Sequence, residues 1–203
     1  MIKLLLARHG ETEWNRIGRY QGQSDIELSV VGREQARRLA KRLDSEAIHA
    51  IYCSDLKRAR QTVEPIAAGR QIDVTYCREL RELAFGDFEG KYYEEIEKLY
   101  VPLEKQWRAG KLDDPVPGGE SLAQLGERVK GFVGRLNNHN SEGTVLVVAH
   151  GGPLQMMICH LIGVDVQHWW RIHLDAASVS VVYIYPEYSV LSLMNGTSHL
   201  RDS

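Results

Sequence analysis

The chain has 203 residues, 43% of them hydrophobic and 26% charged, and a net charge of -2. That suits one globular domain with a sizeable core and excludes a collagenous, low-complexity or strongly basic nucleic-acid-binding chain. No apolar run approaches the ~20 residues of a membrane span and the start lacks a signal-peptide cleavage pattern, so a single cytoplasmic domain, 1–203, is expected.

Residues 2–7, IKLLLA, read as a buried strand that runs straight into Arg8-His9-Gly10. In 29–44, Val31, Ala36, Leu39, Ala40 and Leu43 share one helical face. HAIYCS (49–54) reads as a second strand, passing through Ser54 and Asp55 into a helix that bears Arg58. Asp55 is predicted to cap that helix. IDVTYC (72–77) is a third strand. The long connection 84–119 has no strand character. It carries Phe85, Phe88, Tyr92, Tyr93, Tyr100 and Trp107 and closes on PVPGGES, so it reads as a helical, lid-like insertion over one end of the sheet. Leu122, Leu125, Val129, Phe132, Val133 and Leu136 make a helical stripe over 121–136, with Ser121 as its cap. TVLVVAH (144–150) is a fourth buried strand, and 151–163 is a helix opened by Gly151-Gly152. SVSVVYIY (178–185) and VLSLMN (190–195) pair as a hairpin.

This alternation implies an α/β fold, a sandwich with a mostly parallel central sheet, whose ligands gather beyond the carboxyl ends of the strands. Those ends carry two imidazoles, His9 and His150, and two guanidiniums, Arg8 and Arg58, a positive receptor for a dianion. A glycine after each histidine is read as allowing the backbone to approach a ligand closely, and two helix N-termini add free N–H groups. Cys53, Cys77 and Cys159 are odd in number and far apart, so they are expected to be reduced, buried thiols with no metal role.

Arg8-His9-Gly10-Glu11-Thr12, followed by Trp14-Asn15 and Gln21-Gly22, resembles the opening of the histidine phosphatase superfamily, which includes the cofactor-dependent phosphoglycerate mutases. SDLKRARQT (54–62), RELAFGDFEG (81–90), GGES (118–121) and AHGG (149–152) match further family blocks in the same order, so the resemblance covers essentially the whole chain. It implies a three-layer α/β/α sandwich of the phosphoglycerate-mutase-like type, and it implies roles. His9 is the nucleophile that forms a phosphohistidine. Arg8, Arg58 and a cationic His150 hold the phosphoryl oxygens. Glu82 protonates the leaving alkoxide and then activates water, with Glu79, Asp87 and Glu89 as rival carboxylates. Asn15, Gln21 and the Gly151 N–H are secondary phosphate contacts. The scheme needs no metal and no cofactor. His160, His168 and His173 look non-catalytic, and Trp169 and Trp170 look like packing residues.

Three outcomes fit such a pocket: a phosphatase, a mutase or a non-catalytic phospho-ligand binder. The binder is disfavoured because nucleophile, second histidine, both arginines and an acid are all present. The mutase is disfavoured because 91–149 is compact and PVPGGES lacks the basic, proline-rich stretch of the family's mutases. For substrate, the lid blocks look similar to the α-ribazole-5'-phosphate phosphatases of cobalamin assembly, with Phe85, Phe88, Tyr92 or Tyr93 facing a heterocyclic base or else filling the lid's own core. Phosphoserine and broad-specificity phosphatases share many of the same blocks. The expected partner is therefore a small phosphorylated metabolite, and the terminal hairpin either offers an edge for a homodimer or is itself covered.

Overall fold

The computed structural model describes residues 1–137 and 143–201, the side chain of Asn137 excepted. A six-stranded sheet runs through the centre in the order β3-β2-β4-β1-β5-β6, from β1 (Ile2–Arg8), β2 (Ile48–Ser54), β3 (Val74–Cys77), β4 (Gly143–Ala149), β5 (Val179–Ile184) and β6 (Ser189–Gly196). The first four are mutually parallel. The β5–β6 hairpin is antiparallel and joins the sheet along β1.

Leu4, Leu5, Leu6 and Ala7 are all buried because β1 is central and covered on both faces. The period of two divides them. Leu5 and Ala7 face α2 (Val30–Leu43) and α3 (Lys57–Ala67), packing with Leu39, Leu43, Ala59 and Val63. Leu4 and Leu6 face α5 (Leu122–Asn137) and α6 (Gly151–Ile162), packing with Val129, Phe132 and Ile158. A helical layer on each side of a mostly parallel sheet is the three-layer sandwich expected from the alternation. Edge strand β6 keeps alternate residues exposed. The cysteines are free and buried, and no helix among the described residues is long and apolar enough to cross a membrane.

The insertion is built on a 3-10 turn (Gly86–Phe88) and α4 (Tyr93–Arg108). Trp107 roots it: the indole is buried and its Nε1–H donates to the Asp114 carbonyl at 2.9 Å. Tyr20, Phe85 and Phe88 meet Tyr100 or one another edge-on around it. Most of the lid aromatics thus join the core on that face of the sheet, continuous with Leu4 and Phe132, and Phe88 is buried in it. Tyr92 lies under the Arg19 guanidinium, and Tyr93 packs on Tyr100.

Candidate active site

Parallel pairing of β1 with β4 brings the two histidines together. Arg8 is in register with Ala149, and the His9 N–H donates to the Ala149 carbonyl at 2.9 Å. One residue further, the His9 and His150 rings lie 5.0 Å apart, centre to centre, both buried. His9 Nδ1 is 2.7 Å from its neighbour's carbonyl, Gly10 O. A carbonyl only accepts, so Nδ1 carries the proton and Nε2 presents its lone pair. Burial, then the charges of Arg58 and Arg8, hold the imidazole well below its ordinary range, against the Gly10 bond.

Arg58 enters from the helix that follows β2. It sits in α3's first turn with no exposed surface. Its Nη1 and Nη2 donate to the Ser24 and Gly22 carbonyls at 2.8 and 2.7 Å, and Nε donates to His150 Nδ1 at 3.1 Å. A guanidinium has five N–H groups, so one on each Nη stays available. Burial brings Arg58 down to about 10, with Glu82, Asp25 and Glu89 opposing, and it remains cationic at neutral pH.

The Arg58 bond corrects the expected charge of His150. Because Nδ1 accepts from Arg58, the proton is on Nε2, which donates to Ser54 Oγ at 2.8 Å. Burial, Arg58 and His9 all press the ring toward the neutral form. Asp55 is a second correction: it does not cap α3, whose N-cap is Leu56 without a side-chain bond. It forms a paired salt bridge with Arg81 instead, at 2.6 and 2.7 Å, and Asp25 takes the Lys57 N–H at 2.7 Å. Gly10 is a third. An added Cβ there would lie 2.5 Å from Gly32 O, so the glycine is required by the packing of β1's end on α2.

Arg8 and Glu82 lie on the open side. Arg8 Nη1 donates to Leu174 O at 2.5 Å, while Arg8 Nε is buried with no hydrogen-bond partner among the described residues. Burial lowers the guanidinium from its ordinary value, and Glu82 and Asp175 oppose this. Glu82 Oε1 accepts from Leu83 N at 2.9 Å and Gly152 N at 3.0 Å. Gly152 backs this carboxylate: a Cβ there would fall 2.4 Å from Oε1, so the Glu82 side chain would have to shift. Gly151 borders both Glu82 Oε2 and Arg8 Nε.

A cavity of about 220 Å3 opens here, lined by Arg8, Glu82, Gly151 and Gly152; His9, His150 and Arg58 are not among its lining residues. Its walls are Leu83, Phe85, Leu122, Leu125 and Leu174, with Trp169, Gln155 and His173. Trp169, expected to pack, and His173, expected to be non-catalytic, are both on its wall. Gln155 escaped the sequence reading, although it lies one helical turn beyond Gly151. Tyr92, Tyr93 and Phe88 are not on the wall. His160 bonds Gly126 O, His168 belongs to a 3-10 turn, and Trp170 stacks with Arg108 and Arg171 outside the cavity.

The remaining candidates have structural partners. Asn15 and Thr12 form the capping box of α1 (Glu13–Arg16), and the Thr12 hydroxyl also bonds Gln21 Oε1. Ser121 and Gln124 cap α5 reciprocally. Of the rival carboxylates, Glu79 pairs with Arg135 and Asp87 lies against Gly118. Glu89 accepts from Gln23 N, Ser24 Oγ and Phe85 N. It thereby supports the loop whose carbonyls hold Arg58, a role with no signature in local sequence.

Two imidazoles held neutral by burial have a consequence for stability. Their folded proton affinities lie below the unfolded value of about 6.5. The penalty is absent above that pH and grows as pH falls beneath it, where the unfolded chain binds protons that the folded one refuses. The expected result is a loss of about 1.4 kcal/mol per pH unit for each histidine between pH 6.5 and its folded value. Denaturant titrations at pH 7.5, 6 and 5 check this. A His9→Asn/His150→Asn variant should have a flatter profile, and an unchanged slope would show that the burial penalty is misassigned.

The family model of the histidine phosphatase superfamily (branch 1) matches residues 4–197. Phosphoserine phosphatase 1 of Hydrogenobacter thermophilus is 38% identical over 202 residues, spanning 100% of this chain and 96% of that one. The solved structure of Bacillus stearothermophilus YhfR superposes with a TM-score of 0.89 at 32% identity, covering 99% of this chain and 100% of that one. The α-ribazole phosphatase of Shigella flexneri does so with a TM-score of 0.87 at 30% identity and 96% coverage of each. With strand ends, lid and sheet order all accounted for along its length, the chain belongs to branch 1 of the histidine phosphatase superfamily.

Proposed function

We propose that this phosphatase hydrolyses α-ribazole-5'-phosphate, a small phosphate ester with an aromatic organic part, through a phosphohistidine on His9. The His9 Nε2 lone pair forms the N–P bond. The ester P–O bond breaks, and its electron pair goes to the ester oxygen, which takes a proton from Glu82. Water then attacks phosphorus and gives its proton to the Glu82 carboxylate, and the N–P electrons return to Nε2, releasing inorganic phosphate. The free N–H groups of Arg58 and the orphaned Arg8 Nε meet the charge on the transferring group. His150, neutral before substrate arrives, fixes the direction of Arg58 and backs the His9 ring. In this reading the Gly151 N–H, on the cavity lining, is a secondary phosphate contact, as are Asn15 and Gln21, which do not line it.

The observation that carries the substrate class is the cavity wall. Beyond Arg8 and Glu82 it offers five aliphatic or phenyl side chains, Trp169, and only Gln155 and His173 as polar groups. An aromatic base is at home there. A serine's ammonium and carboxylate would be desolvated against leucines, at a cost of several kcal/mol. Phosphoserine is the second reading, favoured by the greater identity with the Hydrogenobacter thermophilus enzyme. A steady-state comparison decides. After dialysis against EDTA, kcat/KM for α-ribazole-5'-phosphate is expected to be undiminished and at least about tenfold above that for phosphoserine. A phosphoserine preference would assign the second reading, phosphoglycerate isomerisation would assign a mutase, and loss of activity on chelation would remove the metal-free scheme.

A further inference from the structure

The GGES block and a distant arginine on α5 have no part in the chemistry above, yet they converge on the backbone of the proton donor. Residues 78–80 form a single 3-10 turn, and the chain beyond it runs free of helix and sheet to Glu82, so its carbonyls lack ladder partners. Arg128 supplies them. Its Nη1 donates to Glu79 O and Arg81 O, both at 2.7 Å, and Nη2 donates to Glu82 O at 2.9 Å. The rest of the fork is taken by Glu120: Nε to Oε1 at 2.8 Å and Nη2 to Oε2 at 2.9 Å. All five N–H groups of the guanidinium are thereby used within the protein.

Glu120 is held in turn by the strand of chain it supports. Its Oε2 accepts from Ala84 N and its own N–H donates to Ala84 O, both at 2.9 Å. Gly119 makes the approach possible, because a Cβ there would lie 2.1 Å from Ala84 O. The clamp therefore grips both sides of Glu82: carbonyls of 79, 81 and 82 before it and the peptide of 84 after it. Arg128 and Glu120 are only 17% and 21% exposed, so water competes weakly for these bonds. Neither side chain lines the cavity that Glu82 faces.

We infer that Arg128, locked by Glu120, is a positioning residue that holds the Glu82 carboxyl where it can protonate the leaving oxygen. The inference rests on the reading of Glu82 as that donor. A planar five-donor fork is needed because one ammonium could not reach three carbonyls and a carboxylate together. A displacement of Glu82 by about 1 Å is enough to cost on the order of a hundredfold in proton transfer. The cost falls only on esters whose leaving oxygen needs the proton.

The test compares kcat/KM for 2-phenylethyl phosphate, a poor leaving group, with 4-nitrophenyl phosphate, a good one. This constant reports events up to transfer onto His9, so the later hydrolysis step does not enter. Glu82→Gln should lower the alkyl ester about 100-fold or more and the aryl ester several-fold at most. Arg128→Met should reproduce that selective loss at about 10- to 100-fold, and adding it to Glu82→Gln should produce no further selectivity. Glu120→Gln, which keeps the guanidinium and charge of Arg128, should show a smaller loss of the same kind. It and Arg128→Lys carry the test if Arg128→Met does not fold. If Glu82→Gln is selective but the Arg128 and Glu120 variants slow both esters equally, or add selectivity in the double variant, the clamp is only structural and the inference falls. If Glu82→Gln itself slows both esters equally, the donor assignment fails and the inference falls with it.

Discussion

Replacing His9 with alanine is expected to lower kcat/KM by about four orders of magnitude or more, for every phosphate ester and at every pH. The argument is geometric. Nδ1 is committed to Gly10 O, so a single nitrogen, Nε2, is available to phosphorus. The neighbouring imidazole cannot replace it: His150 has Nδ1 occupied by Arg58 and its proton directed at Ser54. The folded protein should survive the change, because the alanine leaves the His9 main-chain bonds to Ala149 and Ala177 in place. In the wild type, rapid quenching with a labelled ester should trap an acid-labile, alkali-stable phosphoenzyme, and the alanine variant should trap none. A phosphoenzyme formed without His9 would move the nucleophile elsewhere. The pH profile adds a check on sign. An imidazole held below its ordinary range stays nucleophilic into mildly acidic solution, so kcat/KM should show no loss at pH 6.5 attributable to His9, only at lower pH.

Arg58→Met should be the second-largest effect, and it should appear in both rate and stability. The guanidinium has two N–H groups left for the transferring phosphoryl group, and removing one such preorganised donor set costs about 10²–10³ in rate. Stability should fall by about 2–4 kcal/mol, because the carbonyls of Gly22 and Ser24 and His150 Nδ1 lose their donor inside the protein. Stabilisation by added inorganic phosphate, expected in wild-type melting curves, should be lost in the variant. His150 should move the other way from the enzyme's activity. With the neighbouring charge and its N–H gone, the ring's proton affinity rises toward the ordinary histidine range, measurable by NMR titration. A variant with wild-type kcat/KM would place the phosphoryl group away from Arg58.

The parts of this site that were legible in the sequence are those set by chain-local rules. Leu4 to Ala7 and Val145 to Ala149 announce two central strands by unbroken apolarity, and the residues that follow announce the chemistry. The α5 stripe from Leu122 to Leu136 is likewise a matter of period. Proximity of His9 to His150 followed from parallel strands ending on one edge, which register then made specific. The errors have a common origin. Asp55 was read as a cap from its position, but the distant Arg81 offers it a paired salt bridge. Gly10 was read as making room for a ligand, but it makes room for Gly32. Trp169 is expected only to pack, because nothing near it in the chain says that Leu174 and Gln155 line a cavity with it.

The amino-acid order by itself determined the elements, their alternation and the identity of the groups at the strand ends, because periodicity and chain termini of helices and strands depend on neighbours a few residues away. Only the tertiary structure decided that His150 is neutral, that Arg58 aims through Gly22 and Ser24, and that Arg128 grips the backbone at Glu82. Charge state and direction are set by desolvation and by hydrogen-bond partners, and in this protein those partners lie between 34 and 96 residues apart in the chain.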